Sequence, residues 1–174
     1  MNVRLADGVA AIGLAAWNAC ANPQRSDRPH PFTQYDFFAA LEESGSATGA
    51  TGWQPCHLVL EKDDVVEALM PLYLKNHSQG EYVFDHSWAD ALERAGGDYY
   101  PKLQCAVPFT PVTGPRLLGA KAAMPVLLET GKKIVKQLGA SSLHITFLTD
   151  AEWRADGRCC FVAELQRRTG WVGE

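Results

Sequence analysis

The chain has 174 residues, 47% hydrophobic and 21% charged, with a formal net charge of −4. That size and apolar content suit one domain with a real core. The acidic balance argues against a protein wrapped in nucleic acid, although a local basic patch is compatible with it. Five cysteines cannot all pair internally, and none stands in a Cys-x-x-Cys pair. Cys56 precedes His57, but no second His/Cys pair follows at metal-finger spacing. The cysteines read as small core residues of a reducing compartment, with no metal site.

Arg4, the apolar run Val9 to Trp17 and Ala19-Cys20-Ala21 loosely mimic a signal peptide, but Asp7 and Asn18 interrupt the pattern. The run reads better as a first helix, with Asp7 as N-cap and Ile12, Ala15, Ala16 and Ala19 on one face. No other segment has the length to span a membrane, so a soluble cytoplasmic protein is expected. Asn22 to Pro31 is a loop. Phe32 to Glu43 is a second helix, capped by Thr33, with Phe37, Phe38 and Leu41 on one face. Ser44 to Gly52 is a small, glycine-rich surface connection.

The period then changes. His57 to Glu61 and Val65 to Leu74 flank Lys62-Asp63-Asp64, a β-hairpin pattern with Pro71 at a bulge or edge position. Asn76 to Gly80 is a polar turn, and Glu81 to Phe84 returns as a third strand. Trp88 to Arg94 is a short helix, capped by Ser87 and stopped by Gly96-Gly97. Leu103 to Phe109 is a strand, Thr110 to Gly119 a loop, and Met124 to Leu138 an amphipathic helix. Pro125 suits that helix's first turn, Leu127, Gly131, Ile134 and Leu138 share a face, and Gly139 stops it. Leu143 to Leu148 is a strand, Asp150 caps a last turn, and Phe161 to Leu165 is a final strand. A strand–loop–helix–strand unit predicts a crossover with parallel strands. Its loop, Pro111 to Gly119, faces a helix N-terminus, where backbone N–H groups favour anions.

Four stretches carry a resemblance: Gly52-Trp53-Gln54-Pro55, Pro71-Leu72-Tyr73-Leu74-Lys75, Gly80 to Ala89 (GEYVFDHSWA) and Tyr99 to Leu118 (YYPKLQCAVPFTPVTGPRLL). With them the chain resembles, over most of Trp17 to Thr149, the FemAB-like proteins of bacteria. That family is named for peptidoglycan biosynthesis or recognition and lies within the GNAT (N-acetyltransferase) superfamily. The resemblance implies an α/β (α+β) GNAT-like acyl-CoA N-acyltransferase fold, a central mixed sheet flanked by helices. It also implies relatives with two such domains in tandem, of which this chain matches the first. Residues 1–174 read as one GNAT-like domain whose end, 158–174, is atypical, as in a divergent or truncated chain.

The resemblance implies a donor, either acetyl-CoA or another acyl-CoA, or aminoacyl-tRNA, and a small-molecule or peptide amine as acceptor. Arg116-Leu117-Leu118-Gly119-Ala120-Lys121 matches in part the Arg/Gln-x-x-Gly-x-Gly/Ala motif of acetyl-CoA-binding relatives. Thr113, Gly114, Arg116 and Gly119 are the phosphate-contact candidates; in the other reading the glycines only turn the chain and Arg116 pairs with a surface carboxylate. Tyr99, Tyr100 and Lys102, with Trp88 and Phe109, could line an acceptor pocket, or simply form an aromatic-rich strand entry. Asp85 and His86 form the acid/base candidate, since an imidazole near neutral pKa can take a proton from an attacking amine. The alternative is that Asp85 or Ser87 caps the helix and Trp88 fills the core. His144 alternates with apolar neighbours and reads as a packing histidine. The expected activity is transfer of an acyl or aminoacyl group to an amine. The competing reading is a non-catalytic GNAT-like recognition or domain-pairing module, whose exposed apolar surface would favour a homodimer.

Overall fold

A computed structural model of the chain describes residues 2–83 and 85–155. The strands are β1 (Asn2–Ala6), β2 (Trp53–Pro55), β3 (His57–Lys62), β4 (Val65–Met70), β5 (Leu72–Lys75), β6 (Lys102–Cys105), β7 (Leu118–Gly119) and β8 (Leu143–Ile145). The helices are α1 (Leu14–Ala21), α2 (Tyr35–Glu43), α3 (His86–Arg94), α4 (Met124–Gln137) and α5 (Asp150–Ala155). Among the described residues the strands form two four-stranded sheets, β1-β3-β4-β7 and β2-β5-β6-β8.

One bent hairpin joins the two sheets. Trp53 faces Lys75 and Pro55 faces Tyr73 in one sheet, while Leu58 faces Met70 and Leu60 faces Ala68 in the other. The register therefore runs unshifted across Pro71, which has no N–H to give and divides β4 from β5. His57 repairs the ladder there. Its Nδ1 accepts the Leu72 N–H at 3.2 Å, so Nε2 carries the proton and donates to Glu42 Oε1 at 2.8 Å. At the tip, Asp63 and Asp64 both have positive φ, 51° and 62°, as a two-residue primed turn requires. The outer edge of this hairpin pairs with β7 along β4 and with β6 along β5, so the sheet is splayed where β6 leaves for β7. The strand–helix–strand crossover is as expected: β6 and β8 are parallel, Leu103 facing Leu143, with α4 between them in the chain.

Side chains alternate along β4 and β5 into two cores. Leu69 and Tyr73 pack under α1 and α2 with Trp17 and Phe38. Met70 and Leu72 pack under α4 with Leu127, Leu128 and Ile134. Helices on both faces explain the unbroken buried run Ala68 to Tyr73.

Several elements differ from the sequence-based expectation. β1 is a strand that no apolar alternation announced. The first helix begins at Leu14, after Gly13 at φ 87°, and buries Trp17, Cys20 and Ala21 rather than the expected face. Ser44 to Gly52 is not a loose connection: Ala47 is fully buried, and Thr48 and Thr51 form a reciprocal cap. Glu81 to Val83 is not a strand; Tyr82 has φ 56° and Glu81 is drawn inward by Lys102. α3 starts at His86, with Asp85 rather than Ser87 at the cap position. Cys159, Cys160, the expected strand Phe161 to Leu165 and the atypical end lie outside the described residues.

Candidate functional site

Two polar constellations stand out, in different parts of the domain. The first is a buried ion cluster between β5, β6 and the start of α3. Lys102 faces Lys75 across the β5–β6 ladder, and both are fully buried. Like charges placed directly opposite repel, so this pairing needs compensation. Lys102 Nζ spends its three donors on Asp85 Oδ2 (2.7 Å), Glu81 Oε2 (2.8 Å) and Ser78 Oγ (2.8 Å). Tyr99 and Ser78 also donate to Asp85 Oδ2, at 2.7 and 2.9 Å. Burial by itself would raise the Asp85 carboxyl, but Lys102, Ser78 and Tyr99 outweigh it and hold its pKa below the ordinary value.

Lys75 is poorly compensated by contrast. Its Nζ lies 3.5 Å from the centroid of the Trp53 ring, 3.2 Å from the Gln79 carbonyl and 3.9 Å from Glu81 Oε1. Burial lowers its pKa to about 7, with Glu81 pulling it up and Lys102 pushing it further down. His144, packed edge-on against Tyr99 and bonded through Nε2 to Ser142 Oγ at 2.8 Å, is pushed down to about 3 by burial and by Lys102.

The second constellation is a cleft of about 780 Å³. Its walls are the end of α1 with the following turn (Cys20 to Gln24), the strand-and-loop segment Pro115 to Lys121, the first turns of α4, and the start of α5. Gly119 is essential to its floor. It has φ 108°, and a Cβ there would lie 2.3 Å from the Glu67 carbonyl oxygen. Only glycine lets β7 close on β4 in this way. Glu152 of α5 holds the loop. Its Oε1 accepts the backbone N–H groups of Arg116 and Leu117, both at 2.8 Å. Its Oε2 accepts the Thr149 N–H at 3.0 Å and hydroxyl at 2.8 Å, a capping box for α5.

The site residues named from the sequence fall in three places. Asp85, Tyr99 and Lys102 come together in the ion cluster. Gly119 lines the cleft. Arg116 joins the cleft's loop through its backbone N–H to Glu152, and the rest make none of these contacts. Arg116 is only 1% exposed, and its guanidinium donates to the carbonyls of Thr146 (2.9 Å), Gly114 (3.1 Å), Pro115 (3.3 Å) and Val112 (2.7 Å). It therefore braces its own loop. Gly114 gives its N–H to Phe147 and leaves room for the His30 ring, while Thr113 is exposed and its carbonyl faces His30. Asp85 is wholly buried, its Oδ2 committed to Lys102, Ser78 and Tyr99, while His86 is exposed at the start of α3. Trp88 is 46% exposed on α3, and Phe109, 40% exposed, leans on Trp53. The sequence reading missed Lys75, Ser78 and Glu81 in the cluster, and Cys20 to Gln24, Lys121 and Glu152 at the cleft. Among the described residues no group of three His, Cys, Asp or Glu side chains could hold a metal ion, and no helix is long and apolar enough to cross a membrane.

The mixed α/β arrangement, with a splayed sheet and a parallel strand–helix–strand crossover, is of the GNAT-like acyltransferase fold class. The chain belongs to the FemAB-like family: the family model described as peptidoglycan biosynthesis/recognition matches residues 8–174. The match includes the segment beyond Arg158. That membership places the chain among aminoacyltransferase-related proteins. Comparison with curated proteins and with solved structures found no match.

Proposed function

We propose that this domain holds an acyl or aminoacyl donor, carried by coenzyme A or tRNA, in the cleft beside α4, and presents it to an amine. The observation that carries the reading is the cleft itself, opening onto the first turns of the crossover helix over a backbone that Gly119 keeps close. Lys121 is exposed, lines the cleft and makes no ion pair among the described residues, so it suits a donor phosphate. The N-terminal dipole of α4 reinforces it. Arg116 and Glu152 fix the loop that forms one wall.

The described lining offers no free imidazole or carboxylate. The reading therefore assigns rate enhancement to orientation of the amine against the thioester or ester, with the amine's proton passing to water. That same lack of a base favours the second reading, a module that recognises a donor-like ligand without turnover. A thermal-shift screen with acetyl-CoA, longer acyl-CoAs and aminoacyl-tRNA tests the first step. A donor should raise Tm by mass action, and Lys121→Glu should remove most of the rise. No shift with any donor would contradict the proposal, and binding without transfer to amines would select the recognition reading.

A further inference from the structure

Resting on the reading of the cleft as a donor site, we propose that it selects an uncharged, apolar acyl group several carbons long, joined to an anionic carrier, over acetyl and over an aminoacyl group. The volume, about 780 Å³, is that of a site for a sizeable ligand and far exceeds what two carbons fill. Its walls carry Ala21, Pro23, Leu117, Leu118, Met124 and Leu128. Cys20 adds a buried, protonated thiol, its pKa pushed up to about 11 by burial.

The polar groups of the lining are largely committed to the protein. Asn22 exchanges hydrogen bonds with Ser26, its Nδ2 donating to the Ser26 carbonyl at 2.9 Å and its Oδ1 accepting the Ser26 N–H at 2.9 Å. Both oxygens of Glu152 already accept two donors each, and the Thr149 hydroxyl is one of them. The exposed Gln24 and Lys121 are left to meet a ligand. One is neutral and the other cationic. An α-ammonium entering this cleft would leave water for a wall whose one carboxylate, Glu152, already accepts four donors from the protein, which is costly. An apolar chain gains on entry, and an anionic carrier meets Lys121.

Isothermal titration of the whole chain with acetyl-CoA, octanoyl-CoA, octanoate and 2-aminooctanoate tests this. Each buried methylene is worth roughly a fourfold gain in affinity. Octanoyl-CoA should therefore bind at least about tenfold tighter than acetyl-CoA, and octanoate at least about tenfold tighter than 2-aminooctanoate. Met124→Gln, on a half-buried cleft residue, should flatten the chain-length dependence. If that variant fails to fold, the wild-type ligand series decides alone. Equal affinity for acetyl-CoA and octanoyl-CoA would overturn the selection and leave the donor site standing. Octanoate bound with no binding of either thioester would sink the donor reading and overturn the proposal with it. Binding of none of the four, or of 2-aminooctanoate as well as octanoate, would overturn the selection.

Discussion

Lys102 and Lys75 stand face to face, yet have opposite surroundings. Lys102 is a saturated ammonium between two carboxylates; removing its charge leaves Asp85 buried without a close counter-ion and Glu81 with only Lys75, 3.9 Å away. Lys102→Met should cost about 3–5 kcal/mol and lower Tm by about 10 °C, read by calorimetry. Lys75 is a burial cost by itself. Its folded pKa of about 7 lies below the ordinary 10.5, so between those values the unfolded chain binds more protons. Stability should therefore rise with pH from about 7 upward, and Lys75→Met should be at least as stable at pH 7 and lack that rise. Urea midpoints at pH 7 and pH 9 check this; equal slopes in the two proteins would contradict it. At the acid end, the lowered pKa values of Asp85 and His144 both predict loss of stability. His144 acts as pH falls from its ordinary 6.5 toward about 3. Asp85 acts as pH falls through its depressed carboxyl value.

Part of this was legible in the sequence. Asp85, Tyr99 and Lys102 were singled out by residue type, and they do meet. Their partners Ser78 and Glu81 have the sequence pattern of a turn and a strand, because nothing local announces that a carboxylate will fold inward to a lysine more than twenty positions away. Arg116 shows a different limit. An arginine in a glycine- and proline-rich loop has the same pattern whether its guanidinium faces a phosphate or the loop's own carbonyls.

At the scale of elements, the hairpin, the second helix and the crossover helix followed from periodicity and from punctuation by Asp63-Asp64, Pro125 and Gly139. β1 did not, since its five residues read NVRLA and only Ala6 is buried. Its pairing with β3 decides its conformation. β7 was hidden for another reason: it is two residues long, and its identity as a strand lies in its contact with β4. Gly119→Ala tests that contact. At φ 108° a side chain is strained, and its Cβ meets backbone that cannot yield. The variant should lose about 2–4 kcal/mol and donor binding together, while hydrogen exchange in the β3–β4 hairpin stays slow. Glu152→Gln keeps an acceptor for Arg116 and Leu117 but weakens the capping of α5, so it should soften ligand affinity without a comparable fall in Tm, as titration beside a melting curve would show.

For the whole molecule, the ion cluster and the cleft are separate, with no residue in common. The sequence had joined them into one active site, with Asp85 and His86 acting on a donor held at Arg116. In the fold the cluster braces the segment leading into α3, and the reading proposed above puts the donor in the separate cleft. Hydrogen–deuterium exchange with and without octanoyl-CoA tests that division most directly. Protection should appear at Cys20 to Gln24, Pro115 to Lys121 and the first turns of α4, with Ser78 to Lys102 unchanged. Protection confined to Ser78 to Lys102, with the cleft unaffected, would contradict it.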